Sequence, residues 1–157
     1  MSFIPAEQGH VVNILPPIDI TGGQDADVFS MRRYQHATII IQVGVSAGAF
    51  TKIIVNECNT FGAGAANAIP YALYSEEVDS GDTLSARTPT ALAGHTPSAN
   101  DNIFYVIELD HDELAEGFEY VQVQLTCGAV AILASAIVIL SGARYAEEQS
   151  ATEIIQT

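Results

Sequence analysis

Spaced histidines, cysteines and carboxylates are where chemistry would show first. Four histidines, His10, His36, His95 and His111, are scattered along the chain, and none pairs with another as H-x-H or H-x-x-x-H. A metal site on adjacent strands of the cupin type needs such pairing, with a carboxylate following. His10 and His36, near element starts, are therefore expected at the surface or at an interface. Asp110-His111-Asp112-Glu113 is the densest carboxylate group. Its oxygens suit Ca2+, but the D-x-[DN]-x-[DN]-G spacing of a calcium loop is missing. It is expected to be a turn with solvated or capping groups, as is Asn100-Asp101-Asn102. Gly62-Ala63-Gly64 lacks the third glycine and the βαβ setting of a dinucleotide loop. There is no G-x-S-x-G elbow, and neither Cys58 nor Cys127 has a histidine base near it in sequence. No catalytic, cofactor or metal residue is assigned, and the chain is expected not to be an enzyme.

The residues suited to binding are of another kind. Val11, Val12, Ile14 and Leu15 crowd apolar side chains into a proline-flanked segment, ahead of Pro16-Pro17. Such a segment must lie on something, either its own domain or a neighbour. Arg32-Arg33 is the only adjacent pair of cations. It either docks an acidic partner surface or is satisfied by the chain's own carboxylates. These six residues are the candidate partner-binding set.

Composition points the same way. The 157 residues are 48% hydrophobic and only 15% charged, against roughly 25% charged in an ordinary soluble domain. A chain so short of charge is expected to hide surface against partners. Its net charge of −14, from 19 acidic and 5 basic residues, argues against nucleic acid, whose phosphates need Lys and Arg. Two cysteines at this length are expected to be buried strand thiols rather than a disulfide scaffold, although one bridge stays open. Leu125–Ala143 runs 19 residues without a charge, long enough to suggest a membrane span. Gly128, the polar Thr126, Ser135 and Ser141, and the alternation of Val121–Leu125 oppose that, so no membrane contact is expected.

The elements that would carry these residues read as β. Thr38–Val45 alternates, Phe50–Glu57 is β-branched, and Ile69–Tyr74 is short with Pro70 at an edge or start. Ile103–Asp110 and Tyr120–Thr126 alternate cleanly, and Ala129–Leu140 is apolar on both faces, as a central strand should be, with a helical reading left open by its alanines. Residues 75–101 show little periodicity, and their long loop is expected to be functional or pinned by partners. The organisation expected is an extended arm over 1–36, a domain over 37–145 and an acidic tail over 146–157. The fold class expected is all-β: an antiparallel β-sandwich, immunoglobulin-like or jelly-roll-like. Leu114–Val123 also resembles the corner of immunoglobulin-like domains, in which a tyrosine, here Tyr120, hydrogen-bonds back across a loop. A plain hairpin with an exposed Tyr120 is the alternative.

Five segments taken together resemble a known class. They are Glu7–Ile20, the strand pair Thr38–Glu57, Asp101–Asp110, Glu119–Thr126 and Leu140–Tyr145. They are similar to small virion proteins of tailed bacteriophages, described as capsid decoration (cement) or minor structural proteins. The resemblance covers most of the chain and carries no catalytic motif. It implies a homo-oligomer, often a trimer, on the outer capsid lattice, with the major capsid protein as partner and assembly in the host cytoplasm. A tail or neck component, or a surface carbohydrate-binding sandwich, is the alternative.

Overall fold

The computed structural model describes residues 4–48, 51–77, 81–97, 101–144 and 154–155. A four-residue helical turn, Pro5–Gln8, leads into twelve strands. They are β1 Gly9–Asp19, β2 Gln24–Asp25, β3 Val28–Ser30, β4 Tyr34–Ser46, β5 Lys52–Cys58 and β6 Ala66–Ile69, followed by β7 Ala72–Glu77, β8 Thr88–Pro89, β9 Ile103–Asp110, β10 Tyr120–Thr126, β11 Ile132–Ala143 and β12 Ile154–Ile155. One sheet, A, has the order β1-β11-β4-β9-β7-β8. The other, B, runs β12-β3-β10-β5-β6, with β2 also on β10. Every pairing is antiparallel, so the fold is the all-β sandwich that the strand alternation predicts.

The two sheets close on one core. Ile39 and Ile41 of β4, Ile107 and Leu109 of β9, and Val138 and Leu140 of β11 face Ile53 and Val55 of β5 and Val121, Val123 and Leu125 of β10. Each such side chain is worth roughly 1.5–3 kcal/mol when fully buried. The apolar run after Leu125 resolves into the end of β10, a turn and central strand β11. No helix among the described residues is long and apolar enough to cross a membrane.

The expected arm over 1–36 is corrected. Residues 9–19 form β1, an edge strand laid along β11 from Gly9↔Ser141 to Asp19↔Leu133. Ile14 and Leu15 are buried in the chain's own core, with Ile20, Phe29 and Met31. The prolines do not prevent this. Pro16 and Pro17 sit where the register shifts between Leu15 and Ile18, and an edge strand with a bulge needs no N–H from them. The domain therefore begins well before residue 37. The tail is corrected too, because Ile154 and Ile155 pair with Phe29 and Val28 of β3. The rest of the tail, with Phe50 and Asn100, lies outside the described residues.

The long loop after β7 is pinned by the chain itself. Thr90 N–H donates to the Tyr71 carbonyl (2.9 Å), and Ile53 and His95 form an isolated bridge. Gly94 makes that bridge possible: its φ is +75, and a Cβ there would lie 2.3 Å from the Ile53 carbonyl oxygen.

Candidate docking face

A strand alternates its side chains between two faces. The core takes one set from sheet A, and the other set forms an outer face whose rows follow from the register. The middle row is Asn13, Ile137, Ile40, Val106 and Tyr74 across β1, β11, β4, β9 and β7. The row below it is Val11, Ile139, Thr38, Glu108 and Ala72. The row above holds Ser135, Gln42, Phe104 and Glu76. Aliphatic and aromatic side chains thus run unbroken from β11 to β7 on a face that looks away from the core. Val11 is 50% exposed and Leu133 51%. The outer side of sheet B is more polar: Lys52, Asn56, Gln122, Gln124 and Thr126 share it with Ile54.

The lower end of the face carries its charge. His36 bridges two carboxylates, with Nδ1 2.6 Å from an Asp110 oxygen and Nε2 2.6 Å from a Glu108 oxygen. The Thr38 hydroxyl donates to the same Glu108 carboxylate at 2.7 Å. Partial burial works against a charged imidazole, but the hydrogen bonds and charge of Asp110 and Glu108 outweigh it and hold His36 above the usual histidine range. The cluster is an ion pair between β4 and β9. No group of three His, Cys, Asp or Glu among the described residues is arranged to hold a metal. At the upper end a groove of about 500 Å3 is lined by Pro17, Ile18, Gln42, Gly44, Leu133 and Ser135, among others. It opens beside the apolar rows.

The sequence-based candidates fall in different places. Val12, Ile14 and Leu15 are 8%, 0% and 3% exposed, so they anchor β1 to its own core and cannot fill grooves elsewhere. Val11 alone points outward, onto the face just described. Arg32 is exposed and pairs with Glu119 at 2.9 Å, and the exposed Arg33 accepts the Arg144 N–H on its carbonyl at 2.8 Å. Neither arginine lies on the outer rows of sheet A. Both cysteines are free: Cys58 is buried, and burial, then the charge of Glu57, push its thiol up to about 11. The Cys127 thiol donates to the Ile20 carbonyl at 2.9 Å. Asp110 begins a 3-10 turn, His111–Glu113, and its N–H donates to Glu113 at 2.9 Å, the capping role expected of that carboxylate group.

Tyr120 is not a tyrosine corner. Its ring packs edge-on against Phe61, with centroids 5.3 Å apart, and its hydroxyl takes no partner among the described residues. The tyrosine that ties a loop is Tyr71, which is buried. Its hydroxyl donates to the Ile53 carbonyl at 2.6 Å and accepts the His95 N–H at 3.2 Å. The corner at 111–118 is held instead by buried Glu57, which accepts the Ala115 N–H at 2.8 Å.

Comparisons with known proteins add little to this geometry. No family model matches the chain, and no curated protein matches it. Among solved structures it is similar to that described as the crystal structure of the SPBc2 prophage-derived protein YomS, at 14% identity, with a TM-score of 0.48, over 83% of this chain and 92% of that one. A likeness of that size assigns neither family nor activity.

Proposed function

We propose that this chain is a non-enzymatic structural protein of a tailed-phage virion, which binds the outer capsid lattice through the outer face of sheet A and bridges neighbouring capsid subunits. The observation that carries the reading is the unbroken apolar row Ile137–Ile40–Val106–Tyr74 on a face turned away from the core. Ile137, Ile40 and Tyr74 are half-buried and Val106 is buried among its neighbours, while Val11 and Leu133 stand exposed on the same face; contiguous apolar surface outside the core marks an interaction site. The low content of charged residues supports it, and so does the resemblance of the five segments to capsid decoration proteins. The partner is a protein surface with a matching apolar patch and basic groups around it, because the face is edged by Glu76, Glu108 and Asp110 and the chain carries a net charge of −14. The N-terminal segment contributes as a scaffold strand, with Val11 as its one outward anchor.

Ile40→Glu and Ile137→Lys test this. Both side chains lie outside the core, so a cooperative melt is expected to survive. Binding to undecorated capsids, followed by co-sedimentation, should fall at least tenfold, and the capsids should lose protection against heat. Undiminished binding would move the docking surface elsewhere. Copy number per particle, from quantitative gel staining, then separates the shell from the neck or tail: a count on the scale of the lattice means the shell, and a single ring's worth means the neck or tail.

A further inference from the structure

The hydrogen bonds of sheet A fix which backbone groups its β1 edge leaves open. In an antiparallel sheet, successive residues turn their N–H and C=O groups to opposite neighbours. On β7 the odd positions face β8. The Tyr71 and Ser75 carbonyls accept the N–H groups of Thr90 and Ser85, and Leu73 pairs with Thr88. Following the register across the sheet, Tyr74 bonds Val106, Ile107 bonds Ile39, Ile40 bonds Ile137, and Val138 bonds Val12. Gly9, Val11 and Asn13 of β1 therefore turn their backbone groups away from β11. Two hydrogen bonds set the limits of this stretch. The Gly9 N–H donates to the Pro5 carbonyl, and the Ile14 carbonyl accepts the Asp27 N–H at 2.8 Å. Between them, the Gly9 carbonyl and the N–H and C=O groups of Val11 and Asn13 face outward with no strand beside them among the described residues.

An open edge is normally guarded by proline, lysine, a bulge or a very short strand. The other edges are guarded in this way: β8 is only Thr88–Pro89, β12 is only Ile154–Ile155, and β6 stops at Ile69, ahead of Pro70. The second half of β1 has its register shifts and Pro16-Pro17. Gly9–Asn13 has none of these guards, and no Asp, Glu, Lys or Arg stands between Gly9 and Ile18. In a chain of net charge −14, a second copy can approach this edge without setting carboxylate against carboxylate.

The open stretch is also complementary to itself. Its centre is Val11. Two copies related by a two-fold axis at Val11 pair antiparallel along the whole stretch and end where the helical turn and Asp27 begin. Each Val11 N–H meets the Val11 carbonyl of the other copy, and each Asn13 N–H meets the Gly9 carbonyl of the other copy. Gly9 has no side chain to crowd the Asn13 opposite it. An unrelated strand has no reason to stop at both limits, whereas a second β1 does so by symmetry.

We propose that β1 is a two-fold interface: Gly9–Asn13 of one copy pairs antiparallel with Gly9–Asn13 of a second copy, joining the two A sheets into one. The inference stands on the strand edge and does not need the outer face of sheet A to bind anything.

Light scattering on the full-length chain, at micromolar concentration and about 0.1 M NaCl, where like charges on the faces still repel, is expected to give the mass of two copies. One copy, or an odd number of copies, overturns the proposal. Val11→Pro removes an outward N–H and no bond to β11, as an edge position tolerates, so the mass should halve with a cooperative melt retained. Val11→Lys, a charge set against its own copy across the axis, should do the same and serves if the proline variant does not fold. A dimer that survives the folded variants overturns the proposal. A single cysteine then tests the symmetry. Residues paired like Val11 and its copy have Cα atoms about 5.5 Å apart, within the range of a disulfide. Oxidised Val11→Cys, made in Cys127→Ser protein with buried Cys58 kept, should run as a covalent dimer on a non-reducing gel and form nothing larger. Val45→Cys, at a position 65% exposed, reports random collision. Equal linking of the two cysteine variants overturns the two-fold pairing.

Discussion

His36 stands between Glu108 and Asp110 on a face that is otherwise mostly apolar, and its raised pKa follows from those two partners prevailing over burial. In the unfolded chain a histidine titrates near ~6.5. With a higher folded value, the stability it contributes is fully present below ~6.5 and is lost as pH rises through the folded pKa. His95 works in the opposite sense. Burial first, then Lys52, holds it low, so its contribution is present above ~6.5 and lost as pH falls below that. Raw pH profiles mix the two, and a comparison with His36→Gln separates them. Urea melts should show wild type more stable by about 1 kcal/mol near pH 6, a figure discounted for the partial exposure of the cluster. The gap should close as pH rises through the folded pKa, and a gap that ignores pH would mean a neutral imidazole. The two tyrosines make a second contrast. Tyr71→Phe removes a buried hydroxyl from the Ile53–His95 bridge, whose two backbone bonds remain, and should cost about 1 kcal/mol. Tyr120→Phe should stay within about 0.5 kcal/mol, because its ring contact with Phe61 survives. Equal unfolding midpoints for the two variants would contradict this assignment.

At the scale of elements, β1 decides how the first segment behaves. Deleting residues 1–20 removes Val12, Ile14, Leu15 and Ile20 from the core. At roughly 1.5–3 kcal/mol per aliphatic side chain, that loss is comparable with the 5–15 kcal/mol of a whole domain. The truncated chain should show no cooperative melt by circular dichroism, and a normal melt would restore the idea of a detachable arm. The strands that alternate, such as Tyr120–Thr126 and Ile103–Asp110, were legible in the sequence because one face of each is buried and the other is not. The segment around Pro16-Pro17 was misleading because proline rules out a central strand but not a bulged edge, and the edge is a property of the whole sheet. The outer apolar rows of sheet A were hidden for a related reason. Ile40, Ile137 and Val106 each look like core in their own strand, and only the register shows that they line up on the outside. The spacing of Glu108 and Asp110 on one strand face was readable, but their partner His36 lies more than seventy positions away. Tyr120 looked like a corner tyrosine from its neighbours in sequence, while the loop tie that exists, Tyr71 to Ile53, depends on a pairing between distant segments.

For the whole molecule, one face joins apolar contact to negative charge, and the two respond differently to salt. The charge, −14 over 157 residues, acts through the Debye length, about 10 Å at 0.1 M salt and 3 Å at 1 M. Apolar burial is not screened. Two copies meeting through their sheet A faces would bury Ile40, Ile137 and Tyr74 but set Glu76, Glu108 and Asp110 of each against those of the other. Low salt should therefore keep the faces apart, and high salt should let them associate. Docking on a partner with basic groups around its patch should respond in reverse, because there the same carboxylates attract. Light scattering on the full chain reads this self-association. Its mass should rise between about 0.05 and 1 M NaCl, over which the Debye length falls from roughly 14 Å to 3 Å, and Ile137→Lys should abolish the rise. Capsid binding by the full chain should weaken over the same range. If self-association and capsid binding moved together with salt, charge would not be what directs this face to a foreign partner in preference to its own copies.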